Sequence, residues 1–222
     1  MNGAVAIVLA GGRGERLHAS IPKGLVAVGG VPIIARAVER VTACASVASV
    51  VVVAPPGFEE RVEQLVHPFG AATVVGGGAS RQASVRAGLR AIGDDVGVIV
   101  CHDSARAFAS PHLFARVIDA LDGWDGAIPV LRIVDTVKRV EGQVVKGTEP
   151  RGMLALAQTP QAFAPSALIE AHEAAERDGV EETDDAALLE RSGYRIRAIE
   201  GEVLNLKITT PEDLRLAEAL DW

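Results

Sequence analysis

Two spacings of apolar residues alternate along the chain: short unbroken runs closed by glycine or proline, and longer stretches with apolar residues three and four apart. Ala4–Leu9 (AVAIVL) is such a run and ends in glycines, which predicts a strand buried on both faces. From Pro32 to Cys44, Ile33, Ile34, Ala37, Val38 and Val41 keep helical spacing. Val47–Val53 predicts a second strand, stopped by Pro55-Pro56-Gly57, and Glu59–Val66 a short helix. Ala71–Val75 predicts a third strand, followed by three glycines and a helix from Ser80 to about Ala91. Val96–Cys101 and Gly126–Val130 predict further strands, separated by a helix that opens with Ser110 as cap and Pro111 at its first position. Beyond them the pattern predicts strands at Gln158–Phe163, Tyr194–Ile199 and Val203–Leu206, and helices at 166–177 and 184–191. Thr210-Pro211-Glu212-Asp213 opens a closing helix with a cap, a proline and early acids.

Strands that alternate with helices of ten or more residues predict parallel pairing, because parallel strands need such crossovers. The expected fold is α/β, a Rossmann-like three-layer sandwich with a mostly parallel sheet. Residues 133–147 break this rhythm: IVDTVKRV and QVVKGT flank Glu141-Gly142, a hairpin signal. So short a piece cannot bury a core of its own. It is expected to protrude as a β-arm at about 132–150 from a single domain spanning 1–222.

Composition narrows the function. Apolar residues make up 49% and aromatics 4%, so Val, Leu, Ile and Ala must build the core. A net charge of -7 speaks against a general nucleic-acid surface, while local basic clusters can still hold phosphates. No uninterrupted apolar stretch approaches the length of a membrane span, and the N-terminus lacks the basic region of a signal peptide. Cys44 and Cys101 suggest buried small hydrophobes rather than a disulfide framework. A cytoplasmic protein without nucleic-acid or membrane partners is expected.

The chemistry gathers at strand ends. After the first strand comes Leu9-Ala10-Gly11-Gly12-Arg13-Gly14-Glu15-Arg16-Leu17, then Ile21-Pro22-Lys23. Glycines let a ligand approach the backbone, and free N–H groups there can meet phosphate oxygens. Arg13, Arg16 and Lys23 add full charges. The spacing is neither a Walker A motif nor the dinucleotide fingerprint, since Leu17 stands where a third glycine belongs. Gly76-Gly77-Gly78 closes another strand, with Arg81 and Ser84 three apart on one side of a helix start. Asp103 and Arg106 follow the strand ending at Cys101, and Lys207 lies between Leu206 and Ile208. A lysine among such neighbours is costly to desolvate, so its ammonium is expected to reach a cleft. His102 has no ligand-spaced partner and suggests a supporting role. Asp184 and Asp185 read equally well as helix-start acids or as groups with a direct part in the chemistry.

These pieces together resemble a known family. LAGGRGERL with IPK is similar to the signature loop of sugar-phosphate nucleotidyltransferases. With GGGASRQASV (76–85), HDSAR (102–106), PVLRIVDTVKR (129–139), AQTPQAF (157–163), TDDA (183–186) and NLKITTPEDL (205–214), the chain from about residue 5 to 219 resembles the 2-C-methyl-D-erythritol 4-phosphate cytidylyltransferases. The resemblance implies CTP and a polyol phosphate as substrates, Mg²⁺ or another divalent cation mainly on the CTP phosphates near Asp103, and a homodimer through the arm. It implies catalytic roles for Arg16, Lys23 and Lys207 around the triphosphate. Ala10, Gly11, Gly12, Gly14, Gly78, Arg81 and Ser84 would bind the nucleotide, with Ser84 near the cytosine. Asp103, Arg106, Thr136, Arg151 and Thr159 would bind the second substrate. The family pattern has Ala and Pro where this chain has Ser104 and Ala107. A ribitol 5-phosphate cytidylyltransferase shares nearly all these loop residues, and an inactive nucleotide-binding homologue is the alternative of another class.

Overall fold

The computed structural model describes residues 3–11, 14, 17, 21–70, 72–93 and 95–220. β1 (Ala4–Leu9) lies in the middle of an eight-stranded sheet, parallel to β4 (Val47–Ala54) on one side and to β6 (Val98–Asp103) on the other. Between β1 and β4 the chain makes a two-stranded piece, β2 (Ala27–Val28) with β3 (Val31–Pro32), and helix α1 (Ile33–Thr42). Helix α2 (Glu59–Val66) leads to β5 (Ala72–Gly76), parallel to β4, and α3 (Arg81–Arg90) returns the chain to β6. After α4 (Pro111–Asp119) comes β7 (Gly126–Arg132). β8 (Lys138–Glu141) and β9 (Val144–Thr148) then form a separate two-stranded sheet, the arm. β10 (Ala155–Ala157) and β11 (Gln161–Phe163) rejoin the main sheet antiparallel to their neighbours. α5 (Pro165–Asp178) and α6 (Asp185–Arg191) precede β12 (Ile196–Glu200), which pairs in parallel with β7, and α7 (Pro211–Ala219) closes the chain.

The unbroken apolar runs are explained by two covered faces. Along β1 the side chains alternate: Ala4, Ala6 and Val8 pack with α1, α2 and α4, while Ile7 and Leu9 pack with α3, α5 and α6. With few aromatics available, Phe114 and Phe163 are the largest fully buried side chains, one in each layer. Removing either ring would cost about 3–5 kcal/mol. α3 lies so close to β1 that a Cβ on Gly88 would stand 2.6 Å from Ile7 Cγ2. The caps predicted at Ser110 and Thr210 form, and Ser80 makes a third. Ser80 and Ser110 each accept a backbone N–H, and Thr210 with Asp213 forms a full capping box. Cys44 and Cys101 are free and buried, as their neighbourhoods predict.

Three stretches differ from the pattern; in the first, Gln158–Phe163, only Gln161–Phe163 is a strand. Val203–Leu206 is not a strand: Val203 and Leu204 form an exposed turn, and the chain stays irregular through Thr209. Its apolar look misleads because Asn205 is turned fully inward and binds backbone, so loop contacts replace a neighbouring strand. In the arm, ladder pairing begins only at Lys138, and residues 133–137 are irregular. β2, β3 and β10, each two or three residues long, carry too short a pattern to predict.

Candidate active site

The parallel strands β1, β4, β5 and β6 end at one edge, where α/β sheets hold ligands. Leu9 sits level with Val53 on one side and Asp103 on the other. Ala10 N–H donates to Val53 O at 2.9 Å and Ser104 N–H to Leu9 O at 3.0 Å, so the glycine loop leaves the sheet beside Asp103. A Cβ on Gly11 would lie 3.4 Å from Ser84 Oγ, which puts the first loop and the start of α3 on one wall. Gly14 has φ +69°, a conformation that favours glycine, and lies against Lys23. Lys23 opens a short 3-10 turn behind Pro22; the Asp213 carboxyl at the start of α7 is pushed up by burial but held below its usual value by the Thr210 and Thr209 N–H groups, with Lys23 adding to that lowering. Gly12 and Arg16 lie outside the described residues.

At the start of α3 the sequence fixes a tight loop. Gly78 N–H donates to Ser84 Oγ at 3.1 Å, and Ser84 Oγ donates to Ser80 O at 2.9 Å. A Cβ on Gly78 would lie 2.5 Å from that of Ala83, so no larger residue fits. Ser84 is buried and its hydroxyl is engaged within this loop, shaping the wall from inside.

Charged groups from distant parts of the chain meet beside it. Asp103 Oδ2 accepts from Lys207 Nζ at 2.7 Å, and Oδ1 accepts from Arg81 Nε at 3.1 Å. Burial pushes the Asp103 carboxyl up, but Arg81 and Lys207 outweigh it and hold it well below the usual carboxylate range. Arg81 Nη1 lies 2.8 Å from Asp185 Oδ2, an ion-pair contact without hydrogen-bond alignment. Asp185 Oδ1 lies 2.9 Å from His172 Nε2, and both side chains are buried. Burial would lower the Arg81 guanidinium, yet Asp185 and Asp103 together raise it above its ordinary value. The Lys207 side chain is 44% exposed and its ammonium ends on Asp103.

Other predicted residues support this centre. Thr159 Oγ1 accepts from Asp103 N–H at 3.0 Å and lies 3.1 Å from His102 Nδ1. Burial pushes the His102 imidazole down to about 3, so it is neutral at pH 7 and packs edge-on against Phe114. Arg106 donates to Asn205 O at 2.8 Å and to Ala157 O at 3.1 Å, tying the irregular stretch before α7 to β10. Ser104 and Ala107, the two departures from the family pattern, are both buried. Thr136 and Arg151 lie exposed at the base of the arm, Arg151 donating to Val134 O, and among the described residues neither bonds to the Asp103 group. Residue patterns alone missed Gln158, Asn205 and His172. Gln158 brackets Glu202 with both ends of its amide, and Asn205 Nδ2 donates to Thr159 O at 2.9 Å. A polar residue inside an otherwise strand-like apolar run is the signal that marks Asn205.

Along nearly its whole length the chain is similar to known proteins. The family model for 2-C-methyl-D-erythritol 4-phosphate cytidylyltransferase (IspD) matches residues 4–220. A 2-C-methyl-D-erythritol 4-phosphate cytidylyltransferase of Geobacillus kaustophilus is 42% identical over 221 residues, covering 97% of this chain and 95% of its own. One from Rhodococcus jostii is 45% identical over 218 residues, covering 97% and 94%. The crystal structure of the Thermus thermophilus enzyme superposes with a TM-score of 0.82 at 37% identity, over 99% of this chain and 98% of that one. The chain belongs to the 2-C-methyl-D-erythritol 4-phosphate cytidylyltransferase family.

Proposed function

We propose that the strand-end site transfers a cytidylyl group from CTP to 2-C-methyl-D-erythritol 4-phosphate, giving 4-diphosphocytidyl-2-C-methyl-D-erythritol and pyrophosphate in isoprenoid precursor synthesis. The observation that carries this reading is Asp103, held between Arg81 and Lys207 at the end of β6 beside the glycine loop of β1, in a chain of this family. An oxygen of the substrate phosphate attacks the α-phosphorus of CTP. The new P–O bond forms as the bond to the bridging oxygen of the β-phosphate breaks, and pyrophosphate leaves with that electron pair. A phosphate monoester is already anionic, so no strong general base is needed. Catalysis rests on alignment and on stabilising charge in the transition state.

Lys23 and Lys207 serve the α-phosphate, and Arg16 the β- and γ-phosphates. Ala10, Gly11, Gly12 and Gly14 offer backbone to the triphosphate, while Gly78 and Ser84 shape the place for the base. Asp103, Arg106 and Thr159 line the acceptor side, and Thr136 and Arg151 reach the acceptor phosphate of a neighbouring subunit.

Family membership implies dependence on a divalent cation. Among the described residues no group of three His, Cys, Asp or Glu side chains forms a cage. Asp103, whose oxygens already hold Arg81 and Lys207, would be a single carboxylate near the triphosphate, which suits Mg²⁺, an ion that keeps few protein ligands. Held near Asp103, the ion would supply positive charge that eases departure of pyrophosphate.

The chain is read as one domain whose arm joins two copies into a homodimer. Val134, Val140, Val144, Val145 and Met153 are exposed on the arm and at its base, an apolar surface that a second copy would cover. A net charge of -7 disfavours nucleic acid, no helix among the described residues is long and apolar enough to cross a membrane, and two free thiols suit a reducing cytoplasm. Initial rates of pyrophosphate release with CTP, UTP, ATP and GTP, each with methylerythritol phosphate or ribitol 5-phosphate, test the reading. CTP with methylerythritol phosphate should be fastest. Equal rates with UTP would overturn the nucleotide assignment, and faster turnover of ribitol 5-phosphate would overturn the acceptor.

A further inference from the structure

The Arg81 guanidinium is gripped from two sides. On the cleft side its Nε meets Asp103, and on the interior side its Nη1 meets Asp185. Its third nitrogen, Nη2, makes no hydrogen bond among the described residues, so the two carboxylates do all the fixing. Asp185 is in turn seated by His172 from α5. A carboxylate this deep costs several kcal/mol to desolvate and needs a reason to be there. Helix capping is not that reason. The cap of α6 is Asp184, whose Oδ1 accepts from Ala187 N–H at 3.0 Å while its Oδ2 accepts from Gln161.

The difference between the two grips is exposure. Asp103 also binds Lys207, whose side chain is 44% exposed and can leave with a ligand, whereas Asp185 and His172 are each 1% exposed and cannot. A triphosphate entering at the glycine loop competes for every cation near it. If Asp103 alone held Arg81, the guanidinium would be free to follow the phosphates and Asp103 would lose its fixed orientation.

We propose that Asp185, seated by His172, is a positioning residue for the transfer reaction. It keeps Arg81, and through it Asp103 Oδ1, in place, while the Lys207 ammonium turns from Asp103 Oδ2 to the entering phosphates. This role rests on the cytidylyl-transfer reading above. A geometric change of this kind near reacting groups costs on the order of 10²-fold in rate.

The test uses the full-length protein with Mg²⁺, CTP and methylerythritol phosphate, together with the Nε–H resonance of Arg81 assigned by its loss in Arg81→Lys. Asp185→Asn should lower kcat by about 10²-fold with little change in the KM for CTP. The Arg81 Nε–H should exchange with solvent faster, with or without CTP. His172→Leu should reproduce both effects. His172→Gln, whose amide can still donate to Asp185, should recover roughly tenfold of the lost kcat. Folded Asp185→Asn with wild-type kcat and an unchanged Arg81 resonance would overturn the role. If Asp185→Asn does not fold, the His172 pair decides: equal rates for the Leu and Gln variants would overturn it. Wild-type protein that transfers nothing from CTP would overturn the functional reading itself, an outcome separate from any loss confined to the variants.

Discussion

The strand-end cluster and the arm handle exposure in opposite ways. At the strand ends, Asp103, Asp185 and His172 are buried, and their polar contacts run to named partners within the same chain. On the arm and at its base, Val134 is 79% exposed and Met153 85%, while the ion pairs Arg139–Glu149 and Lys146–Glu141 lie at the surface. One region hides charge and pairs it internally, with Arg81 Nη2, Asp185 Oδ2 and His172 Nδ1 making no hydrogen bond among the described residues; the other displays apolar surface. Buried charge is tolerable only with partners, so the chain must complete that region by itself. Exposed apolar side chains cost little until something covers them, so that task can be left to a second copy.

The largest effect should come from breaking the cluster. Asp103→Asn keeps the shape but removes the charge facing Arg81 and Lys207, and kcat should fall by about 10²-fold or more, roughly 2.7 kcal/mol. Stability should fall by at most about 3 kcal/mol, the low end for a broken buried pair, because Arg81 keeps Asp185 and Lys207 can turn to water. The cluster also fixes the acid sensitivity. Asp103 and Asp185 are held below the usual carboxylate range in the folded state. Their contribution is therefore present above the unfolded value of about 3.9 and lost as pH falls below it. His102, pushed down to about 3, acts in the same direction over a second window: its contribution is lost as pH falls from about 6.5. Denaturation midpoints from pH 7 to pH 3 should decline throughout, more shallowly below pH 4 in Asp103→Asn. A flat wild-type profile would mean that these groups are not buried as described.

Much of this contrast is legible in the sequence, and the limits are physical. The covered strands carry unbroken apolar runs, and Ser80, Ser110 and Thr210 carry cap signals, because burial and capping act on neighbouring residues. Strand-end glycines and cations are likewise local. The links between them are not: Arg81 to Asp185 spans helices far apart in sequence, and nothing near His172 announces its partner. In the sequence Asp185 has the look of an ordinary helix-start acid, but the cap is held by Asp184. Val203–Leu206 misled because periodicity does not register that Asn205 points inward. The arm's hairpin is written around Glu141-Gly142, where Gly142 takes φ +58°, but its exposure only becomes visible once the strands are placed.

A middle-sized effect should follow from charging the arm's base. Met153→Asp puts a carboxylate on one of the most exposed apolar side chains of the chain, so folding of the single subunit should hardly change. If a second copy covers this surface, association should weaken by about 2 kcal/mol or more, the scale of a well-packed anchor. Light scattering should then move from about twice the 23.1 kDa subunit mass toward the subunit mass itself as the protein is diluted. Activity should fall in step with the dimer fraction, because Thr136 and Arg151 would no longer reach a neighbouring site. A variant that stays dimeric, or a fully active monomer, would separate the arm from the site.

The smallest effect should come from the arm's own salt bridge, and it decides whether short distance or burial sets the worth of an ionic contact here. Arg139 Nη2 lies 2.6 Å from Glu149 Oε1 and its Nε 2.7 Å from the same oxygen, as close as any contact in the Asp103 cluster. Yet the Arg139 side chain is 71% exposed, so water competes for both partners and ordering the long side chain costs entropy. A double-mutant cycle of Arg139→Gln and Glu149→Gln, built in the Met153→Asp background to keep the subunits apart, should give a coupling of about 0.2–1 kcal/mol. That coupling should shrink further as salt is raised. The same cycle in the unmodified protein should give a larger value if a second copy shields the pair from water. A coupling of about 3 kcal/mol in the separated subunit would reverse the comparison. It would mean that proximity alone holds these charges, and that the deep seat of Asp185 adds nothing an exposed pair lacks.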